Sequence, residues 1–63
     1  MNRFKSLREI AGLKQIEVAQ KLEIRQTTVS MWESGKSHPH AALLPKLATL
    51  YNCTIDQLLA SPE

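Results

Sequence analysis

Residues 15–35 read Gln15-Ile16-Glu17-Val18-Ala19-Gln20-Lys21-Leu22-Glu23-Ile24-Arg25-Gln26-Thr27-Thr28-Val29-Ser30-Met31-Trp32-Glu33-Ser34-Gly35. Two stretches with helical spacing flank the tripeptide Glu23-Ile24-Arg25. The first runs from about Gln15 to Leu22, with Ile16, Ala19 and Leu22 on one side and Val18 beside them. Glu17 in its first turn suits the positive end of a helix dipole. The second runs from Gln26 to about Ser34 and stops at Gly35, a residue suited to the left-handed conformation that closes a helix. A three-residue joint between them has the length of a helix-turn-helix corner.

The second of these helices has two unlike sides. At about 100° per residue from Gln26, Thr28, Trp32 and Val29 fall near 200°, 240° and 300°, an inward-facing arc. Gln26, Ser30, Ser34, Thr27 and Met31 fall between roughly 0° and 140°. That outer strip carries no Lys, Glu or Asp, whereas an ordinary solvent-facing helix is rich in them. Side chains that both donate and accept hydrogen bonds are what a base edge requires: Gln26 matches adenine N6 and N7 together, and Thr27 and Met31 match a thymine methyl. The same strip is also compatible with a plain polar face of low charge.

Outward from this pair, Phe4, Leu7, Ile10 and Ala11 predict a first helix with Asn2 as N-cap and Gly12 as stop. Lys36-Ser37-His38-Pro39-His40 is a polar loop. A fourth helix is predicted over about Leu43 to Tyr51, with Pro45 near its start, where a missing N–H is harmless, and Asn52 ending it. Thr54-Ile55-Asp56-Gln57 reads as a capping box opening a fifth helix whose apolar side is Ile55, Leu58 and Leu59, closed by Pro62. The expectation is an all-α single domain over residues 1–63, five short helices with tight connections.

Sixty-three residues bury one core at most. Cys53 is the single cysteine, so no intrachain disulfide is available, and no His, Cys and acidic cluster has metal-ligand spacing. The longest apolar run, Ala41 to Leu44, is far short of the ~20 residues of a spanning helix. Charges at Arg3, Lys5, Arg8 and Glu9 interrupt what would be the apolar stretch of a signal peptide. A cytoplasmic, nucleoid-associated location is expected. Eight Lys and Arg against six Asp and Glu leave a net charge of +2, a mild basic lean. Glu9, Glu17, Glu23, Glu33, Asp56 and Glu63 are scattered over different segments, without a triad or a glycine-rich phosphate loop, which argues against an enzyme.

From Leu7 onward the chain resembles the Cro/C1-type, or XRE-like, helix-turn-helix regulators of bacteria and phage. The residues that carry the resemblance are Leu7-Arg8, Gly12 through Leu22, Thr28 through Lys36, Pro39, Leu44-Pro45-Lys46-Leu47-Ala48 and Ile55-Asp56-Gln57-Leu58-Leu59. It implies a compact, lambda-repressor-like five-helix domain that binds palindromic double-stranded operators as a homodimer and most often represses transcription. The third helix would enter the major groove while the second lies across the backbone. Residue by residue, it implies that Gln26, Thr27, Ser30 and Met31 face bases and that Gln15, Lys14, Arg25 and Lys36 meet phosphates. The loop after Gly35 would help through backbone N–H groups. Arg8 and Glu33 match an ion pair that ties the first helix to the end of the third, an architectural role.

This chain departs from the pattern at three places. Glu23 stands where the family usually has Gly, a left-handed position that costs a non-Gly residue roughly 1–2 kcal/mol, so a rearranged turn is expected. Lys14 and Arg25 replace the usual Thr and Ser N-caps, each lost cap costing about 1 kcal/mol. Both lie beside the expected DNA surface, which suggests that cap stability is exchanged for phosphate attraction.

Of the remaining candidates, Cys53 reads as a buried inert thiol and Trp32 as core. His38 and His40 read as exposed, short of the ligands a metal needs. Leu58 and Leu59 are divided between core and dimer contact in a way the pattern leaves open. No cofactor or small-molecule effector is expected. The alternative function is a protein-interaction module on the same fold with DNA binding lost, Met31 being its anchor; steep salt dependence of DNA binding separates the two.

Overall fold

The computed structural model describes residues 3–59. Five α-helices follow one another: α1 (Phe4–Ile10), α2 (Gln15–Leu22), α3 (Gln26–Ser34), α4 (Leu44–Leu50) and α5 (Ile55–Leu59), with a single 3₁₀ turn at Ala41–Leu43 before α4. No strand occurs among the described residues. The helices close around Phe4, Leu7, Val18, Ala19, Val29, Trp32, Leu47, Ala48, Tyr51 and Leu58. This is the all-helical, lambda-repressor-like arrangement expected above. Asn2 and Pro62, the expected N-cap and terminator, lie outside the described residues; Arg3 is the residue before the first turn of α1.

Two isoleucines depart from expectation. Ile10 is 75% exposed. Taken from Phe4 at ~100° per residue, Leu7, Ala11 and Arg8 fall near 300°, 340° and 40°, so Arg8 occupies the inward arc and Ile10, near 240°, is left outside it. Ile16 is 44% exposed. In α2 the inward positions are Val18, Ala19 and the half-buried Leu22, and Ile16 sits at their edge.

The turn between α2 and α3 keeps the left-handed geometry despite its glutamate. Glu23 has φ 57° and ψ 45°, the Glu23 N–H donates to the Gln20 carbonyl at 3.3 Å, and the Ile24 N–H donates to the Ala19 carbonyl at 2.9 Å. The expected rearrangement does not occur, because these two bonds satisfy the last carbonyls of α2 and the half-buried Ile24 packs against the core. Gly35 closes α3 in the same conformation, at φ 81°, and Asn52 closes α4 at φ 55°.

The fourth helix begins differently from the pattern. Pro45 has no N–H to offer the Ala41 carbonyl. That carbonyl instead accepts from the Leu44 N–H, one residue nearer, which tightens the entry into a 3₁₀ turn. At the start of α5, the Gln57 N–H donates to Thr54 Oγ1 at 3.1 Å and the Thr54 N–H donates to Gln57 Oε1 at 2.9 Å. Both halves of the capping box are therefore made. Leu58 is fully buried and Leu59 is 56% exposed, which places Leu58 in the core. Cys53 is half-buried rather than buried, and burial raises its thiol pKa, with Arg3 opposing.

Burial also pushes the Tyr51 hydroxyl up to about 12 from 10.0, with the Glu33 carboxylate adding and Arg8 opposing. A phenol whose folded pKa is raised stays neutral more readily in the native state than in the unfolded chain. Its contribution is intact below pH 10 and is lost as pH rises from 10 through 12, by roughly 2–3 kcal/mol at 1.36 kcal/mol per unit. Tyr51 is the sole tyrosine, so tyrosinate absorbance reports it alone. The expected midpoint is near 12; a midpoint near 10 would show the hydroxyl to be solvated.

Candidate nucleic-acid interface

The joint between α2 and α3 holds α3 with one side inward and one side out. Val29 and Trp32 are buried and Thr28 is half-buried, while Gln26, Thr27, Ser30, Met31 and Ser34 are exposed. Met31 is 39% exposed. The uncharged strip thus lies on the surface, beside a groove between α2 and α3 that is lined by Gln15, Ile16, Ala19, Gln20, Ile24, Arg25, Gln26, Thr27 and Ser30.

Lys14 and Arg25 stand exposed at the N-caps of α2 and α3, each with extended backbone and neither capping with its side chain. A lysine or arginine has no acceptor to offer the first N–H groups of a helix. At α2 the missing half is compensated from the other direction, since the Lys14 N–H donates to Glu17 Oε1 at 2.9 Å. At α3 no such reciprocal partner is seen among the described residues, and position 28 is a threonine rather than Glu or Gln.

Lys36 is exposed just past α3. The loop's backbone is committed elsewhere: the Gly35 N–H donates to the Trp32 carbonyl at 3.3 Å, and the Lys36 and Ser37 N–H groups donate to the Met31 carbonyl at 2.9 and 3.3 Å. These amides close α3. His38 and His40 are exposed on either side of the buried Pro39.

Beneath the strip runs a chain of hydrogen bonds. Arg8 Nε donates to Glu33 Oε2 at 2.6 Å, and a second guanidinium nitrogen donates to Oε1 at 3.2 Å, a two-point contact. The third nitrogen donates to the Leu13 carbonyl at 2.8 Å. The two charged side chains expose only 10% and 6% of their surface. The hydrogen bond to Glu33 is the main reason the Arg8 pKa is raised, with burial opposing it. Glu33 Oε1 also accepts from Gln15 Nε2 at 2.9 Å, and Gln15 Oε1 accepts from Gln26 Nε2 at 3.4 Å.

The pattern of residues pairs Arg8 with Glu33 only through family resemblance, and it misses the link onward to Gln15. One local sign was present: on the α3 wheel Glu33 falls near 340°, between buried Val29 and exposed Gln26. Gln15, expected at a phosphate, is half-buried with one amide hydrogen given to Glu33; the other remains by count.

Among the described residues, no helix is long and apolar enough to cross a membrane. The helix-turn-helix family matches residues 4–58. An HTH-type transcriptional activator, BcrR of Enterococcus faecalis, is 34% identical over 61 residues, covering 97% of this chain and 30% of its own length. The HTH-type transcriptional regulator ImmR of Bacillus subtilis is 39% identical over 61 residues, again 97% of this chain and 48% of its own length. An uncharacterized HTH-type transcriptional regulator of Archaeoglobus fulgidus is 34% identical over 56 residues, 89% of this chain and 80% of its own. The chain thus spans less than half the length of the first two relatives.

Proposed function

We propose, from the premise that this chain belongs to the Cro/C1-type helix-turn-helix family of transcriptional regulators, that it binds double-stranded DNA in a sequence-specific manner by laying α3 in the major groove. The observation that carries this reading is the exposed, uncharged strip of Gln26, Thr27, Ser30 and Met31 on an α3 whose other side is anchored in the core. Such side chains meet base edges, and the cations set around them meet phosphates. Lys14 and Arg25 at the two N-caps and Lys36 past α3 supply those cations, with Gln15 adding its remaining amide hydrogen at the start of α2.

The functional unit we propose is a homodimer on a palindrome. The described residues span 29 × 23 × 22 Å, shorter in every direction than the ~34 Å between successive turns of one DNA face. One copy reads a few base pairs, and two copies set one turn apart read a site long enough to select. Leu59 on α5 offers the partner an exposed apolar side chain. Ultracentrifugation with and without a palindromic duplex checks this; a 1:1 complex counts against the dimer. The regulatory role we propose is repression by occupancy of the operator.

Selection of bound sequences from a random DNA pool tests the reading as a whole. A palindromic consensus is the expected result, and recovery of no consensus sinks it. Within the selected site, Gln26→Ala is expected to cost roughly 1–3 kcal/mol per half-site and to relax the preference at one base pair only. Uniform weakening at all positions would instead place Gln26 against the backbone.

A further inference from the structure

We propose that a second groove, between α2 and α4, docks an acidic, apolar peptide segment of another protein, on a flank of α2 that α3 leaves free.

The two flanks of α2 separate on its wheel. At ~100° per residue from Gln15, the inward residues Val18, Leu22 and Ala19 fall near 300°, 340° and 40°. Ile16 and Gln20, near 100° and 140°, lie on the side of the groove that α2 shares with α3. Lys21, near 240°, lies on the opposite side, where α2 meets α4. α4 turns Lys46, Thr49 and Leu50 to this flank, one stripe at i, i+3 and i+4, while Leu47 and Ala48 go into the core. Together Lys21, Leu22, Lys46, Thr49 and Leu50 line an open groove of about 400 Å³, which has no residue in common with the groove beside the α3 strip.

Leu22 and Leu50 are half-buried, so each packs on the core and still shows apolar surface to the groove; Lys21, Lys46 and Thr49 are exposed. Each helix thus brings one leucine and one lysine. No carboxylate lines the groove. Among the described residues neither ammonium has an ion-pair or side-chain hydrogen-bond partner. Glu17, the acid one turn before Lys21, has Oε1 engaged by the Lys14 N–H.

Two uncompensated cations over an apolar floor select their complement. An occupant that uses the whole groove sets apolar side chains on the leucines and carboxylates on the lysines, the charges steering it in and fixing its register. An amphipathic peptide with apolar residues at i, i+3 or i+4 and acids beside them has that arrangement. Single-stranded nucleic acid would look for aromatic faces to stack on, and the groove has none. A bilayer takes up a protruding apolar face, and this surface is concave. A second copy of the chain fits less well: Asp56 and Leu59 are exposed three residues apart on α5, one acid and one leucine where the groove offers two places for each.

The probe is a synthetic peptide of about fifteen residues, long enough for a helix, built from leucines at i, i+3 and i+4 with glutamates between them. Two controls accompany it, a scrambled peptide of the same composition and a counterpart with lysine for every glutamate. Titration of the ¹⁵N-labelled full chain at about 150 mM salt suppresses diffuse attraction. The expected result is saturable binding with shifts centred on Lys21, Leu22, Lys46, Thr49 and Leu50, and at least about fivefold weaker binding of the scrambled peptide. Lys21→Glu with Lys46→Glu should weaken the acidic peptide by about tenfold or more and bring the lysine counterpart to the same groove. Both lysines are exposed, so the fold is expected to persist; if the double variant loses its helical signal, the exposed Thr49→Glu is read in its place, with the same loss of the acidic peptide. Shifts centred on α3, Lys14, Arg25 and Lys36 overturn the proposal, as does equal binding of the scrambled peptide. A wild-type dimer that the double variant converts to monomer without peptide also overturns it, since the occupant is then a second copy. With the selected palindrome present, the acidic peptide should bind the complex with its affinity within about threefold of that for the free chain; displacement by DNA overturns the separate flank. The titration of the free chain decides the docking even if no DNA sequence is selected.

Discussion

Arg8→Met is expected to destabilise the protein by about 3–5 kcal/mol, because it strands the Glu33 carboxylate where only 6% of that side chain reaches solvent. Gln15 Nε2 would be the one side-chain donor left to it of those seen here. A domain of this size holds about 0.05–0.15 kcal/mol per residue, so the loss is comparable with the whole stability. In thermal denaturation it corresponds to a fall of about 12–40 °C, at 4–8 °C per kcal/mol for a small domain. The double substitution Arg8→Met with Glu33→Met replaces both charges by apolar groups and should recover most of the loss, since a buried pair contributes little over well-packed hydrophobic side chains. Denaturation of the two single variants and the double variant closes the cycle. A single-variant loss under about 1 kcal/mol, the range of a solvated surface pair, would refute the buried-pair account.

The same pair shows where a sequence is readable and where it stops. The inward arc of α3 could be read because Val29 and Trp32 are apolar and three residues apart. The ends of α4 and α5 could be read because Asn52 and the Thr54–Gln57 box act over one to three residues. Ile10 was misplaced for a physical reason: an apolar wheel assigns the core to hydrophobic residues, while here the inward place of α1 is filled by an arginine satisfied 25 residues away. The Gln15–Glu33 bond spans 18 residues and joins two polar side chains, so no periodicity announces it. Glu23 was expected to disturb its turn because the backbone cost of φ 57° is local, while the two bonds that offset it and the burial of Ile24 are tertiary. Of the site, the exposure of the strip was legible. The use of the loop amides at residues 35–37 to close α3 was not, since it depends on how the chain leaves Gly35.

The affinity for DNA is expected to fall about 10³-fold between 50 and 200 mM salt, the loss for about six phosphate contacts. Six is the number that Lys14, Arg25 and Lys36 supply when each acts once in each of two copies. The net charge of +2 per chain is too small to produce such a slope by a diffuse field; it requires cations concentrated on the face that carries α3. Arg25→Ser separates the two roles of one side chain. Serine supplies the acceptor that arginine lacks at the N-cap of α3, which should stabilise the fold by about 1 kcal/mol and raise the melting temperature by about 4–8 °C. It also removes one phosphate contact per copy, which should lower the slope of log K against log salt by about 1.8 for the dimer at 0.9 per contact. Melting curves and a salt titration on the selected palindrome read the two effects independently. A higher melting temperature with an unchanged slope would mean that Arg25 points away from DNA, and its place at the cap would then need another cause. If neither quantity moves, stability and phosphate attraction are not exchanged at this position at all. A shallow slope in the wild-type protein would be graver, because it would leave the exposed strip of α3 without the electrostatic frame that holds it in the groove.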